Sequence, residues 1–246
     1  MRQGQAWYRY EDKTYCLITW RRLSLRPLCC YTCTPVRTSI SNWSHATFNS
    51  LESQMAAPVC TVIAGPNGAG KTTFALTYLV AAGHSRNFVN ADLIAAGLSP
   101  LDPDREAVEA GRLFLREVRR FITNRESFAF ETTLSGRSYL RMIRELVATG
   151  WEVHLVYLWL LGVVTCRERV AERVARGGHD IRVETIERRY FRSVGNLLKE
   201  YASACTVTTC YDNSDSVPQL IFTQHGKSRS IKDDARYQRL AEGVRS

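Results

Sequence analysis

The stretch Cys60-Thr61-Val62-Ile63-Ala64-Gly65-Pro66-Asn67-Gly68-Ala69-Gly70-Lys71-Thr72 decides how the rest of the chain is read. Its opening is apolar and β-branched, as a strand buried on both faces requires. Residues 65–72 fit the pattern G-x-x-x-x-G-K-[ST], and the helix-forming run Thr73 to Val80 follows. In that order, strand, glycine-rich turn and helix start make a phosphate cradle. Backbone N–H groups curl round phosphate oxygens, the helix N-terminus adds partial positive charge, Lys71 reaches the outer phosphates and the Thr72 hydroxyl can hold Mg²⁺. The nucleotide-binding set is therefore Gly65, Pro66, Asn67, Gly68, Ala69, Gly70, Lys71, Thr72 and Thr73, with Mg²⁺ expected beside the phosphates. A glycine-rich turn that binds nothing does not explain why strand, loop, Lys-Thr and helix coincide.

Outward from this motif, short apolar runs alternate with helical patterns, the mark of a parallel α/β sheet. Strands are expected at Cys60 to Ala64, Asn87 to Val89, Ser127 to Phe130, Val153 to Trp159, Thr206 to Thr209 and Gln219 to Phe222. Helices are expected at Asp104 to Asn124, Arg137 to Thr149 (closed by Gly150), Thr165 to Arg176 and Val183 to Ala204. The expected fold is a three-layer α/β P-loop domain with a mainly parallel central sheet and a helical lid, spanning 55–225. Residues 226–246 read as a tail of mixed charge, a loosely docked helix or disordered.

In such sheets the carboxyl ends of the strands line the ligand crevice. Asp92, just beyond Phe88-Val89, falls there and could take the proton of a substrate hydroxyl. It reads equally well as the N-cap of the helix that follows. Glu131, Thr132 and Thr133 follow the third strand on the same edge and could hydrogen-bond a hydroxylated substrate. Arg167, Arg169, Arg173 and Arg176 lie on one helix that runs into Gly177-Gly178-His179. Arg169 and Arg173 share a face, which two cations do at a small cost unless an anion lies between them. A solvated basic face is the plain reading. Beside a triphosphate, arginines on a lid neutralise the transferring phosphoryl group, and the glycine pair reads as the hinge. His179 lacks a partner at metal-ligand spacing.

Three weaker signals carry no assignment. Cys30 and Cys33 form one C-x-x-C without a second pair, so zinc is not expected. Leu134-Ser135-Gly136 lacks the rest of the transporter-ATPase signature. Tyr190 and Phe191 among arginines fit amphipathic packing more simply than a nucleic-acid face.

Composition narrows the classes. The chain has 246 residues, 45% of them apolar and 23% charged, enough for one core without disulfides. The run Trp151 to Val164 is interrupted by Glu152 and His154 and falls short of the roughly 20 residues that span a bilayer. No secretory leader is apparent, so a cytoplasmic protein without membrane partners is expected. The net charge of +9 favours phosphate-bearing ligands, and the eight cysteines, scattered along the chain, read as reduced thiols. Residues 1–54 differ from the rest: Cys16, Cys29, Cys30 and Cys33, three tryptophans and seven Lys or Arg occur there without clear periodicity. They read as a poorly structured extension with a short strand near Tyr15 to Trp20 and a polar linker from Ser39 to Ser50. Met55 reads as the biological start.

The strings GPNGAGKT, FVNAD, GLSP, FETTLSGR, RVAERVARGGHDI, ERRYFRSVGNL and YDNS occur in the order seen in zeta-toxin-like P-loop kinases. The resemblance covers about residues 57 to 222. It implies Asp92 as general base, Glu131 and Thr133 as acceptor-binding residues, and Arg169 and Arg173 as lid arginines contacting phosphate. Lys71, Asp92, Arg169 and Arg173 then form the catalytic set. It further implies γ-phosphoryl transfer from ATP to a small-molecule hydroxyl, with UDP-N-acetylglucosamine as acceptor and an antitoxin protein as partner. The competing class is an NTP-binding regulatory or nucleic-acid-associated P-loop ATPase, which would respond to DNA or RNA; nucleic acid is not the expected partner.

Overall fold

A computed structural model describes residues 5–10, 13–18, 57–81, 87–178 and 180–243. The expected linker, the start at Met55, Cys30, Cys33 and His179 lie outside the described residues. The chain divides into two units, Met1–Ala57 and Pro58–Ser246. The first contains an antiparallel pair, β1 (Gln5–Tyr10) and β2 (Lys13–Ile18), in which Trp7 faces Cys16. Little regular structure was expected in this extension. Trp7, Tyr8 and Tyr10 on one strand and Thr14, Tyr15 and Ile18 on the other have the strand preference that explains the pairing.

The second unit is built on a seven-stranded sheet. Its strands are β3 (Val59–Ala64), β4 (Phe88–Val89), β5 (Phe128–Thr132), β6 (Glu152–Trp159), β7 (Val207–Asp212), β8 (Gln219–His225) and β9 (Ser228–Ile231). They lie in the order β4-β5-β3-β6-β7-β8-β9. β4 to β7 run parallel to β3, β8 returns antiparallel to β7, and β9 pairs antiparallel to β8. The helices are α1 (Lys71–Ala81), α2 (Ala91–Leu98), α3 (Ala107–Asn124), α4 (Ser138–Ala148), α5 (Val163–Ala175), α6 (Val183–Asn196) and α7 (Asp234–Glu242). Strand alternation sends Ile63 and Ala129 to one face, where Ala75 and Leu79 of α1 cover them. Val62, Phe128, Phe130, Leu155 and Tyr157 point to the other face and pack with buried residues of α3, α4 and α6. The result is a three-layer α/β fold with a mainly parallel sheet.

The chain leaves β3 for β4, returns to β5 beside β3, and then crosses to β6 on the opposite side. This reversal opens a crevice at the carboxyl end of β3, flanked by the ends of β5 and β6.

Two parts depart from expectation. The boundary expected at residue 225 falls inside the β8–β9 hairpin, where Phe222 pairs with Ile231, and α7 buries Leu240 completely. The polar, exposed residues of β9 concealed an edge strand. The single helix expected from Val183 to Ala204 is broken by one wide turn of π-helix, Leu197–Tyr201, before a short turn at Ala202–Ala204. Among the described residues no helix is long and apolar enough to cross a membrane. Cys60, Cys166, Cys205 and Cys210 are buried free thiols.

Candidate active site

The loop from Gly65 to Gly70 joins β3 to α1 at the crevice. Gly65 has φ +145°, and a Cβ there would collide with the Leu158 carbonyl of β6, so only glycine lets the chain turn so close to the sheet. Pro66, Asn67 and Ala69 are buried, Gly68 is half-buried, and Gly70 and Thr73 are exposed. The Asn67 Oδ1 is buried without a hydrogen-bond partner among the described residues. The first turn of α1 carries no acidic side chain, which leaves its N–H groups to an anion.

Lys71 is only 7% exposed. Its Nζ donates to the Pro66 carbonyl at 3.0 Å and lies 3.7 Å from Glu131 Oε1. Burial pulls its pKa below the ordinary lysine value, Glu131 and Asp92 push it back up, and Arg173 lowers it further. The ammonium is thus held among partners that only partly replace water, which suits it to a polyanion.

Glu131, at the end of β5, is the junction of the site. Its Oε2 accepts from the Thr72 hydroxyl and from Asn90 Nδ2, each at 2.7 Å. Its carboxylate thus joins Lys71 and Thr72 of the cradle to Asn90 at the end of β4. A hydroxyl and a carboxylate oxygen so close suit a hard cation such as Mg²⁺, whose remaining positions phosphates and water can fill. Among the described residues no cluster of three or more His, Cys, Asp or Glu forms a protein-only metal cage.

Asn90 removes one of the two readings of Asp92. It caps α2, its Oδ1 accepting from the N–H of Asp92 at 2.8 Å and of Leu93 at 3.1 Å. Asp92 is therefore not the cap, and its carboxylate is exposed on the first turn of α2, near enough to Lys71 to raise that group's pKa. Thr133 lies beyond β5, its hydroxyl 2.9 Å from that of Ser135.

The two arginines of α5 part company. Arg169 donates to the carbonyls of Asn213 at 2.8 Å and Ser214 at 2.6 Å. Its fork braces the loop after β7. Asn213 in turn donates through Nδ2 to the Ala69 carbonyl at 2.8 Å, tying that loop to the phosphate cradle across 144 residues of sequence. Asn213 stood only inside the string YDNS, and no local pattern announces such a contact. Arg173, one turn further on, is exposed and acts on Lys71. The glycine pair expected as a hinge forms the α5 C-terminus. Gly177, at φ +84°, donates to Val174 O and Gly178 to Arg173 O, both at 2.9 Å, the paired bonds of a Schellman cap.

The model of the AAA domain family AAA_33 matches residues 61–195, more than half of the chain. The protein belongs to the AAA_33 family. This AAA_33 protein is 30% identical over 126 residues to an uncharacterized protein of Haemophilus influenzae, covering 51% of this chain and 88% of that one. Its fold is similar to that of AvrRxo1-ORF1:AvrRxo1-ORF2 crystallised with sulphate ions (TM-score 0.60, 15% identity) and with ATP (TM-score 0.55, 14% identity). Each match covers 78% of this chain but only 66% of the AvrRxo1 chain. It is also similar to the PezAT chromosomal toxin-antitoxin system of Streptococcus pneumoniae (TM-score 0.50, 13% identity), covering 83% of this chain and 95% of that one.

Proposed function

We propose that this AAA_33 protein is an ATP-dependent phosphotransferase of the zeta-toxin-like kind, moving the γ-phosphoryl group of ATP to a hydroxyl of a small molecule. The observation that carries the reading is the single crevice in which the Gly65–Thr72 cradle, Lys71, Glu131 and the uncapped carboxylate of Asp92 meet. A carboxylate beside the cradle can take the proton of an attacking hydroxyl, and the transfer assay below separates an alcohol acceptor from water. The cradle holds the phosphates, with Lys71 on their outer oxygens. Thr72 and Glu131 would hold Mg²⁺, which supplies charge neutralisation on the phosphate oxygens when bound. Asp92 accepts the proton of the acceptor hydroxyl as that oxygen attacks the γ-phosphorus. The bond from phosphorus to the β–γ bridging oxygen breaks, and ADP leaves with that oxygen's electron pair. Arg173 is assigned to the charge on the transferring group, and Thr133 to the acceptor.

UDP-N-acetylglucosamine is the acceptor proposed, and an antitoxin is the proposed protein partner. The PezAT toxin-antitoxin system shares the fold, which supports an antitoxin partner, and the ATP complex of AvrRxo1-ORF1:-ORF2 supports ATP as the donor. An ATP-dependent activity of this kind belongs in the cytoplasm. The test follows phosphate from γ-labelled ATP into UDP-N-acetylglucosamine and into a metabolite extract. Asp92→Asn should lower transfer by roughly 10² or more while ATP binding stays within about two-fold. Transfer by Asp92→Asn at the wild-type rate would rule out the base.

A further inference from the structure

Helix α6 carries the string ERRYFRSVGNL, to which the phosphotransferase reading assigns no task. Its buried face bears Tyr190, Ser193 and Val194, and the π-turn that continues it adds Tyr201. On that face, groups normally apolar are replaced by three hydroxyls in an interior that tolerates them only when bonded.

The bonds can be assigned to donors. Tyr190 Oη donates to the Leu160 carbonyl at 2.9 Å, so it must accept from Trp159 Nε1 at 2.9 Å and from the Gly162 N–H at 3.1 Å. Its one proton and two lone pairs are all used on 159–162, the segment that leads from β6 into α5. Ser193 Oγ donates to the Thr133 carbonyl at 2.6 Å, which makes Tyr157 of β6 the donor in the 2.7 Å contact between their hydroxyls. Asn196 Nδ2 donates to the Leu134 carbonyl at 2.8 Å, and Tyr201 Oη to the Gly136 carbonyl at 2.8 Å. Three of the four carbonyls from 133 to 136 are thus held from one side.

The loop that is held needs holding. Leu134 is fully buried at φ +57°, a conformation that a branched side chain keeps only when its surroundings over-determine it. The π-turn supplies the last of these three bonds, since the extra residue in that turn brings Tyr201 round to Gly136.

We infer that α6 and its π-turn are the positioning element of the site: Tyr190 fixes the segment that starts the arginine helix α5, while Ser193, Asn196 and Tyr201 fix the 133–136 loop that presents Thr133 to the acceptor. The second half of this rests on the phosphotransferase reading. None of the four residues is catalytic. Each acts through a loop backbone.

The experiment compares the full chain with Asn196→Asp, which removes the donor at nearly constant shape, with Asn196→Gln, which retains an amide, and with Tyr201→Phe. Two readouts are taken: amide hydrogen exchange across 131–137 and 159–164, and steady-state kinetics with ATP and UDP-N-acetylglucosamine. Asn196→Asp and Tyr201→Phe should each speed exchange in 131–137 by roughly ten-fold and leave 159–164 unchanged. The acceptor KM should rise by about ten-fold with ATP KM within two-fold, and Asn196→Gln should restore part of the loss. Unchanged exchange at 131–137, or equal rises in both KM values, would overturn the inference. Should Asn196→Asp not fold, Tyr201→Phe decides alone. If wild type binds ATP but transfers nothing to UDP-N-acetylglucosamine, the acceptor assignment falls, and the exchange pattern still decides whether α6 holds the loop.

Discussion

Lys71 is buried to a degree that lysines reach only with partners, and its partners here compensate it incompletely. Its folded pKa lies below that of the unfolded chain, so between the two values the folded protein binds fewer protons than the unfolded one. Stability attributable to this group therefore rises with pH through that window and is penalised below it. A triphosphate reverses the preference, because phosphate oxygens favour the ammonium. ATP affinity should be full below the lowered pKa and fall as pH rises through it. Lys71→Ala should weaken ATP binding by roughly ten- to hundred-fold and leave stability at neutral pH equal to or above wild type. Titration of a fluorescent ATP analogue and thermal melts check both. Wild-type affinity in Lys71→Ala would remove the residue from the phosphate site.

At the scale of elements, α5 presents Arg169 and Arg173 on one face and gives them different tasks. Arg169→Gln loses two charge-assisted bonds to carbonyls and should cost about 1–3 kcal/mol of stability. It should also weaken ATP binding, because the loop it braces carries Asn213, which holds Ala69. Arg173→Gln should leave the melting temperature nearly unchanged and lower kcat by roughly 10³ with little change in ATP affinity. Equal effects of the two substitutions in melts and kinetics would show that they do one job. The parallel strands β3 to β7, the cradle and α5 itself were legible in the sequence, because buried parallel strands are short and apolar and glycines mark close approaches. Four-residue spacing told that the arginines share a face and could not tell what lies opposite. Asp92 and Asn90 illustrate the same limit. Either could cap α2 by type, and only the backbone path chose Asn90. Ser193, Asn196 and Tyr201 gave no signal of these contacts, since their partners are backbone carbonyls 60 to 65 residues away in sequence.

For the second unit as a whole, the carboxyl-terminal residues matter because they close the sheet and reach the cradle. Leu240 is fully buried, Tyr237 meets Phe222 edge to face, and Arg236 pairs with Asp212 at 3.1 Å beside the Asn213 brace. Leu240→Ala should cost about 2–5 kcal/mol, read as a lower urea midpoint, and a tail without a role in the fold would tolerate it. The acid limit of this docking is set by Asp233. It caps α7 by accepting from the Arg236 N–H at 3.0 Å and pairs with the Arg236 guanidinium at 2.5 Å. The backbone bond first, then the guanidinium bond, hold its pKa below the ordinary aspartate value. A depressed carboxylate contributes stability that is present above its unfolded pKa and lost as pH falls through the folded one. Asp233→Asn retains a cap of similar quality and removes only the charge. Wild type should therefore melt above Asp233→Asn at neutral pH, with the difference constant down to about pH 5 and shrinking towards zero below pH 4. A difference that does not shrink at all as pH falls below 4 would assign the effect to side-chain shape, and no difference at pH 7 would mean that the carboxylate charge contributes nothing to holding α7 on the sheet.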